Sequence, residues 1–215
     1  MNNNLQEEKW SERQRVGELC SGTNVILVDA DYVDKVAFDL IVNFERMIGR
    51  RIPQADMARW LECIALDGGL REGNHETQVM FIHQKTKTTM ENFVPGNYAN
   101  DLTGKAFQGK LGEFILNAYA IEAIADSEHL LCEALKLVCQ QKEVKRVMVI
   151  PNAENDIIYN NVREALRQVT DEEKRITVFA MQPMAGGNFR QEILGYSLMA
   201  ALGVKGSELK PELSS

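Results

Sequence analysis

The sequence predicts an α/β fold, with a mostly parallel sheet of about five strands covered by helices on both faces in three layers. Two observations carry that reading. Short apolar runs such as "NVILVD" (24–29) and "VKRVMVI" (144–150) have the length and β-branched content of strands buried on both faces. Between them lie segments whose apolar residues recur every three or four positions, as helices packed on a sheet require. A chain of 215 residues with 45% apolar and 26% charged residues suits one sizeable core. The expected organisation is therefore a polar N-terminal segment (1–23), a single α/β domain (24–204) and a disordered tail (205–215).

Taken in order, residues 32–48 place Val33, Val36, Ala37, Leu40, Ile41, Phe44 and Ile48 on one helical stripe, with Asp31 as the N-cap and Asp34 completing a capping-box-like pair. "GRRIP" ends that helix. A second helix is predicted from about 54 to 66, stopped by Asp67-Gly68-Gly69, and "TQVMFIH" (77–83) reads as the next strand. The polar stretch after it is long enough to carry function or a short hidden element, and a brief strand is expected near "MENFV". Over 109–125, Phe114, Asn117, Ala118, Ile121 and Ala125 favour a helix, although "FILNAYAI" also fits a strand. Asp126 and Glu128 open a helix to about 141. The strand at 144–150, a helix at 155–169, a strand at 175–181 and a closing helix from Phe189 complete the pattern.

No run of about 18 apolar residues occurs, and the polar start "MNNNLQEEKWSERQR" has no signal-like core, so a cytoplasmic protein without membrane contact is expected. Cys20, Cys63, Cys132 and Cys139 are scattered, which suits reduced structural thiols. The net charge of −7 opposes a surface-wide nucleic-acid footprint. A local basic groove is confined to the loop holding Lys85, Lys87, Lys105 and Lys110.

In a parallel sheet the ligand crevice lies beyond the carboxyl ends of the strands. Asp29, Asp31 and Asp34 gather there, and clustered carboxylates call for a compensating cation or hydrogen-bond donors. Capping accounts for Asp31 and Asp34, which leaves Asp29 as the acid that asks for a function. "PNAENDI" brings Asn152, Glu154, Asn155 and Asp156 to the next strand end; one must cap a helix, and Glu154 or Asp156 is the choice to face Asp29. Glu113 in "GKLGEF" is the third acid. Mg2+ or Mn2+, hard cations that take oxygen ligands, would suit a set of Asp29, Asp31, Glu113 and Asp156. "MAGGNFR" (184–190) reads as a turn rather than a phosphate cradle. His75, His83 and His129 lack the spacing of a zinc site, and neither GxGxxG nor a Walker loop nor GxSxG occurs.

Three stretches together resemble the NYN branch of the PIN-like nuclease superfamily. "VILVDADYV" is similar to that family's first strand, with Asp29 as its aspartate. "GKLGEFILNAYAIEAI" is similar to its Lys-x-x-Asp helix, with Lys110 and Glu113 in the matching places, and "VMVIPNAENDIIYNNVREAL" to its later strand, acidic loop and helix. The resemblance implies a Rossmann-like (PIN-like) fold and a metal-dependent phosphodiesterase acting on RNA. Asp29 would then be the main ligand, Glu113 with Glu154 or Asp156 would complete the site, and Lys110 would hold phosphate. The sequence departs from the family by lacking the Gly-Asp-Ser-Asp core and by carrying Glu for Asp in the lysine-acid pair. A rival reading is therefore a non-catalytic Rossmann-like module for binding or homo-oligomerisation. "DADYV" also resembles the first motif of haloacid dehalogenase-like phosphatases, which would make Asp29 a nucleophile.

Overall fold

The computed structural model describes residues 23–122 and 124–209. The expectations for the polar N-terminal segment, for Cys20 and for residues 210–215 lie outside that range. Helix α1 (Ala30–Ile48) follows strand β1 (Asn24–Asp29). A short strand β2 (Ala55–Asp56) then leads into α2 (Met57–Asp67) and β3 (His75–Gln84). Next come β4 (Phe93–Val94), a π-helical turn at Tyr98–Leu102, and the strands β5 (Lys105–Gly109) and β6 (Gly112–Ile121). The chain continues through α3 (Ile124–Gln140), β7 (Arg146–Ile150), α4 (Asp156–Arg167), β8 (Arg175–Ala180), β9 (Arg190–Ile193) and α5 (Leu194–Ala201).

Seven strands form one sheet in the order β5-β6-β3-β1-β7-β8-β9, and β2 with β4 forms a separate parallel pair. Every neighbour pair in the large sheet is parallel except β5 with β6. From β1 the chain builds outward through β3 to β6, then crosses back to β7 on the other side. The strand order therefore reverses at β1.

Strand β1 shows why its sequence is apolar without alternation. Val25 and Leu27 enter a core shared with α3 and α4, whereas Ile26 and Val28 enter a core shared with α1, α2 and α5. Since both faces of the strand are covered, no position favours a polar side chain. Cys132 and Cys139 are buried thiols in the first of these cores.

Four expectations are corrected. The sheet has seven strands rather than about five. Residues 112–121 are a strand: β6 pairs with β3 along all ten positions, from His75↔Gly112 to Gln84↔Ile121. Two strand ladders outweigh a helical stripe: β3 pairs along the whole of "GEFILNAYAI", β5 pairs with its first five residues, and Phe114 and Leu116 still reach the core. Residues 190–193 are an edge strand on β8, so the closing helix begins at Leu194 rather than Phe189. Residues 206–209 form a 3-10 turn, held by Arg50 donating to Glu208 at 2.9 and 3.2 Å, where a disordered tail was expected. The brief strand near "MENFV" is present as β4.

Candidate functional site at the carboxyl end of the sheet

The carboxyl ends of β1, β3 and β7 meet where the strand order reverses. The acids there divide the work differently from the sequence expectation. Asp29, not Asp31, is the N-cap of α1: its backbone is extended and its side chain accepts from Tyr32 N at 3.1 Å. The helix begins two residues earlier than the apolar stripe suggests, which moves the cap onto the last residue of the strand.

Asp31 and Asp34 are then free of capping and hold the long loop after β3. Asp31 accepts from the Gln84 backbone N–H at 2.8 Å and pairs with Lys87 at 3.2 Å. Asp34, 8% exposed, accepts from Asn92 N at 2.8 Å and from Asn92 Nδ2 at 3.2 Å, while Asn92 Nδ2 also reaches the Asp34 carbonyl. Residues 84–92 are thereby tied to the first turns of α1. This same loop delivers Tyr98, whose ring stacks on His83 with centroids 3.6 Å apart and planes 8° from parallel.

Two buried hydroxyls stand out at this end of the sheet. Tyr32 (4% exposed) and Tyr98 (3% exposed) each carry a buried phenolic oxygen with no hydrogen-bond partner among the described residues; Asn152 Oδ1 is in the same state. Burial pushes the Tyr32 hydroxyl well above its ordinary ionisation range, and the charges of Glu154 and Asp29 push it further. Burial does the same to Tyr98, followed by Asp31, Asp34 and Asp29. Both phenols therefore remain protonated donors in an acidic surrounding. Burial lowers the His83 pKa, against the opposing pull of the Gln84 carbonyl and Asp31, and so keeps its ring neutral at pH 7.

The other predicted site residues scatter. Glu113 is exposed at the start of β6, paired with Glu76, whereas Asp29 aligns through Ile82 with Tyr119. This offset of six residues places Glu113 about 20 Å along the strand direction from Asp29, at the amino end of the sheet. Lys110 lies beside it in the β5–β6 turn, where its backbone N–H donates to Glu62. Asn155 caps α4, leaving Glu154 and Asp156 exposed, and only Glu154 acts electrostatically on Tyr32. Among the described residues no three His, Cys, Asp or Glu side chains are placed to share a metal ion. The loop lysines form no groove either: Lys85 pairs with Glu122, Lys87 with Asp31, and Lys105 and Lys110 sit on the β5–β6 hairpin. The Gly186 carbonyl accepts from two nitrogens of the Arg163 guanidinium at 3.0 and 3.2 Å.

Sequence reasoning missed Tyr32, Tyr98 and His83. Tyr32 is adjacent to "DAD", but a tyrosine in a helix's first turn carries no signal of its own. Tyr98 and His83 are brought together only by the loop.

No helix among the described residues is long and apolar enough to cross a membrane. No curated protein and no solved structure matches the chain. A family model matches residues 20–209, which include every element described above, and the chain belongs to the family of unknown function DUF6621.

Proposed function

We propose that the chain is a Rossmann-like, three-layer binding module, PIN-like in plan, whose carboxyl-end crevice takes a small polar ligand. The observation that carries this reading is the pair of buried hydroxyls of Tyr32 and Tyr98, without a hydrogen-bond partner among the described residues and both within reach of the Asp29 charge. An unmatched buried hydroxyl costs about 1–3 kcal/mol, so two in one crevice are a stored complement to a ligand's polar groups. With Asp29, Asp31, Asp34 and Glu154 around them, the ligand is neutral or cationic and rich in hydroxyl or amine groups. A bare phosphate would be repelled from this mouth.

The second reading is a Mg2+- or Mn2+-dependent phosphodiesterase acting on RNA. It draws on the acidity of the same mouth, where Asp29, Asp31 and Glu154 would have to hold the cation without Glu113 or Lys110. Thermal shift with a panel of sugars and polyamines, and separately with manganese chloride, decides between them, since a ligand present at 100 times its Kd stabilises by about 2.7 kcal/mol. The binding module predicts a rise with a sugar or amine that Tyr98→Phe abolishes. A rise with manganese alone that Asp29→Asn abolishes would transfer the assignment to the phosphodiesterase, and no rise with any probe would refute both.

A further inference from the structure

The opposite end of the sheet carries an unbalanced set of guanidinium groups that the carboxyl-end crevice does not use. Arg146 and Arg175 are directly paired in the β7–β8 ladder, and Arg190 pairs with Thr177, two residues along β8. All three therefore project from one face of the sheet, the face on which Met148 and Phe179 meet α2 and α5. Arg71, just beyond α2, donates to the Leu70 carbonyl at 2.9 Å and lies near enough to Arg146 for its charge to act there.

The turn after α2 brings the heads together. Arg146 Nη1 donates to the Gly68 carbonyl at 2.6 Å. A Cβ at Gly69 would lie 2.8 Å from Arg146 Nη1 and 3.6 Å from Arg190 Nη1, so both guanidinium groups border the same glycine, whose φ of +90° also excludes most side chains. The counter-charges are few. Glu192 pairs with Arg190 at 2.7 Å, and Asp67 is nearby, its pKa raised by burial and by Glu192. Among the described residues Arg71, Arg146 and Arg175 have no ion pair, and the exposed Arg175 makes no side-chain hydrogen bond with any of them. The repulsion is felt at Arg146, where burial first and then Arg175, Arg190 and Arg71 disfavour its charge.

We propose that Arg146, Arg175, Arg190 and Arg71 form a binding site for a compact multivalent anion, the phosphate or pyrophosphate group of a small ligand. Guanidinium forks match phosphate oxygens bidentately, and a dianion or trianion would relieve the mutual repulsion that the free protein carries. The compactness of the group around Gly69 favours a small anion over a nucleic-acid backbone. An extended polyanion would have to run across a surface that is acidic overall, the chain being −7 even with these four cations included.

Isothermal titration of the full chain with inorganic pyrophosphate tests the site, with a single-stranded RNA oligonucleotide as the second arm. Pyrophosphate should bind the wild type, and Arg175→Gln and Arg190→Gln should each weaken it by about tenfold or more, the equivalent of losing one charge-assisted contact. Lys35→Gln, on α1 at the far end of the sheet, should leave binding unchanged. Arg175→Gln should also raise the melting temperature in anion-free buffer, because it removes a repelling charge, and a purely structural arginine would lower it. Absence of pyrophosphate binding to the wild type, equal binding by Arg175→Gln, or RNA binding tenfold tighter than pyrophosphate would each overturn the proposal.

Discussion

Replacing Asp34 by alanine should damage this protein more than replacing Asp29, the reverse of what the strand-end position of the two residues suggests. Of the three hydrogen bonds between Asp34 and Asn92, two end on the carboxylate, at 2.8 and 3.2 Å, and one on the Asp34 carbonyl, which alanine would keep. A hydrogen bond to a charged acceptor contributes about 1.5–3 kcal/mol, and two sharing one oxygen are less than additive, so the loss is about 3 kcal/mol. For a chain of this size that corresponds to a fall of about 6–12 °C in Tm. Asp29→Ala removes the cap of α1, worth about 1 kcal/mol. Urea unfolding followed by tryptophan fluorescence measures both, because Trp60 packs edge-on against Phe93 at 5.2 Å, next to Asn92. Asp34→Asn retains an acceptor oxygen and should fall between the two. If Asp34→Ala costs less than Asp29→Ala, the loop is not held as described and the reasoning fails.

Gly112→Ala should abolish soluble expression or cost more than about 4 kcal/mol. Its φ of +113° excludes a side chain, and a methyl group there would overlap the His75 backbone; Gly49→Ala, at φ +75° with open space, should cost only about 1 kcal/mol by the same denaturation assay. Burial depresses the His83 pKa in the folded chain, so the unfolded chain takes up the proton first. Its contribution is fully present above about pH 6.5 and is lost as pH falls below that value. Melting temperatures measured from pH 7.5 to 5 should therefore fall less steeply in His83→Gln than in the wild type, and parallel slopes would contradict a neutral His83.

The sequence alone determined those elements whose pattern has one local solution. "NVILVD" and "VKRVMVI" become central strands because every side chain in them must be apolar whichever face it takes. The α1 stripe and the stop at Gly49, with its left-handed backbone, are likewise written locally. Only the tertiary structure decided residues 112–121, whose apolar spacing fits two periods. Pairing with β3 settles it with a ladder along ten residues, a contact to a segment 37 positions earlier that no local window contains.

The acids followed the same division. Sequence placed Asp29, Asp31 and Asp34 together at a strand end, but their roles depend on which donors come to meet them. Gln84, Lys87 and Asn92 arrive on a loop more than 50 residues away in sequence, claim Asp31 and Asp34, and leave the cap to Asp29. Glu113 was assigned to the crevice on the strength of a helix; as a strand residue it sits at the opposite end of the sheet, because a parallel ladder fixes which end of each strand faces which crevice. The hydroxyls of Tyr32 and Tyr98 became candidates for the same reason: a buried polar atom is recognised by the partners that folding brings to it or withholds, and that is a property of the assembled chain.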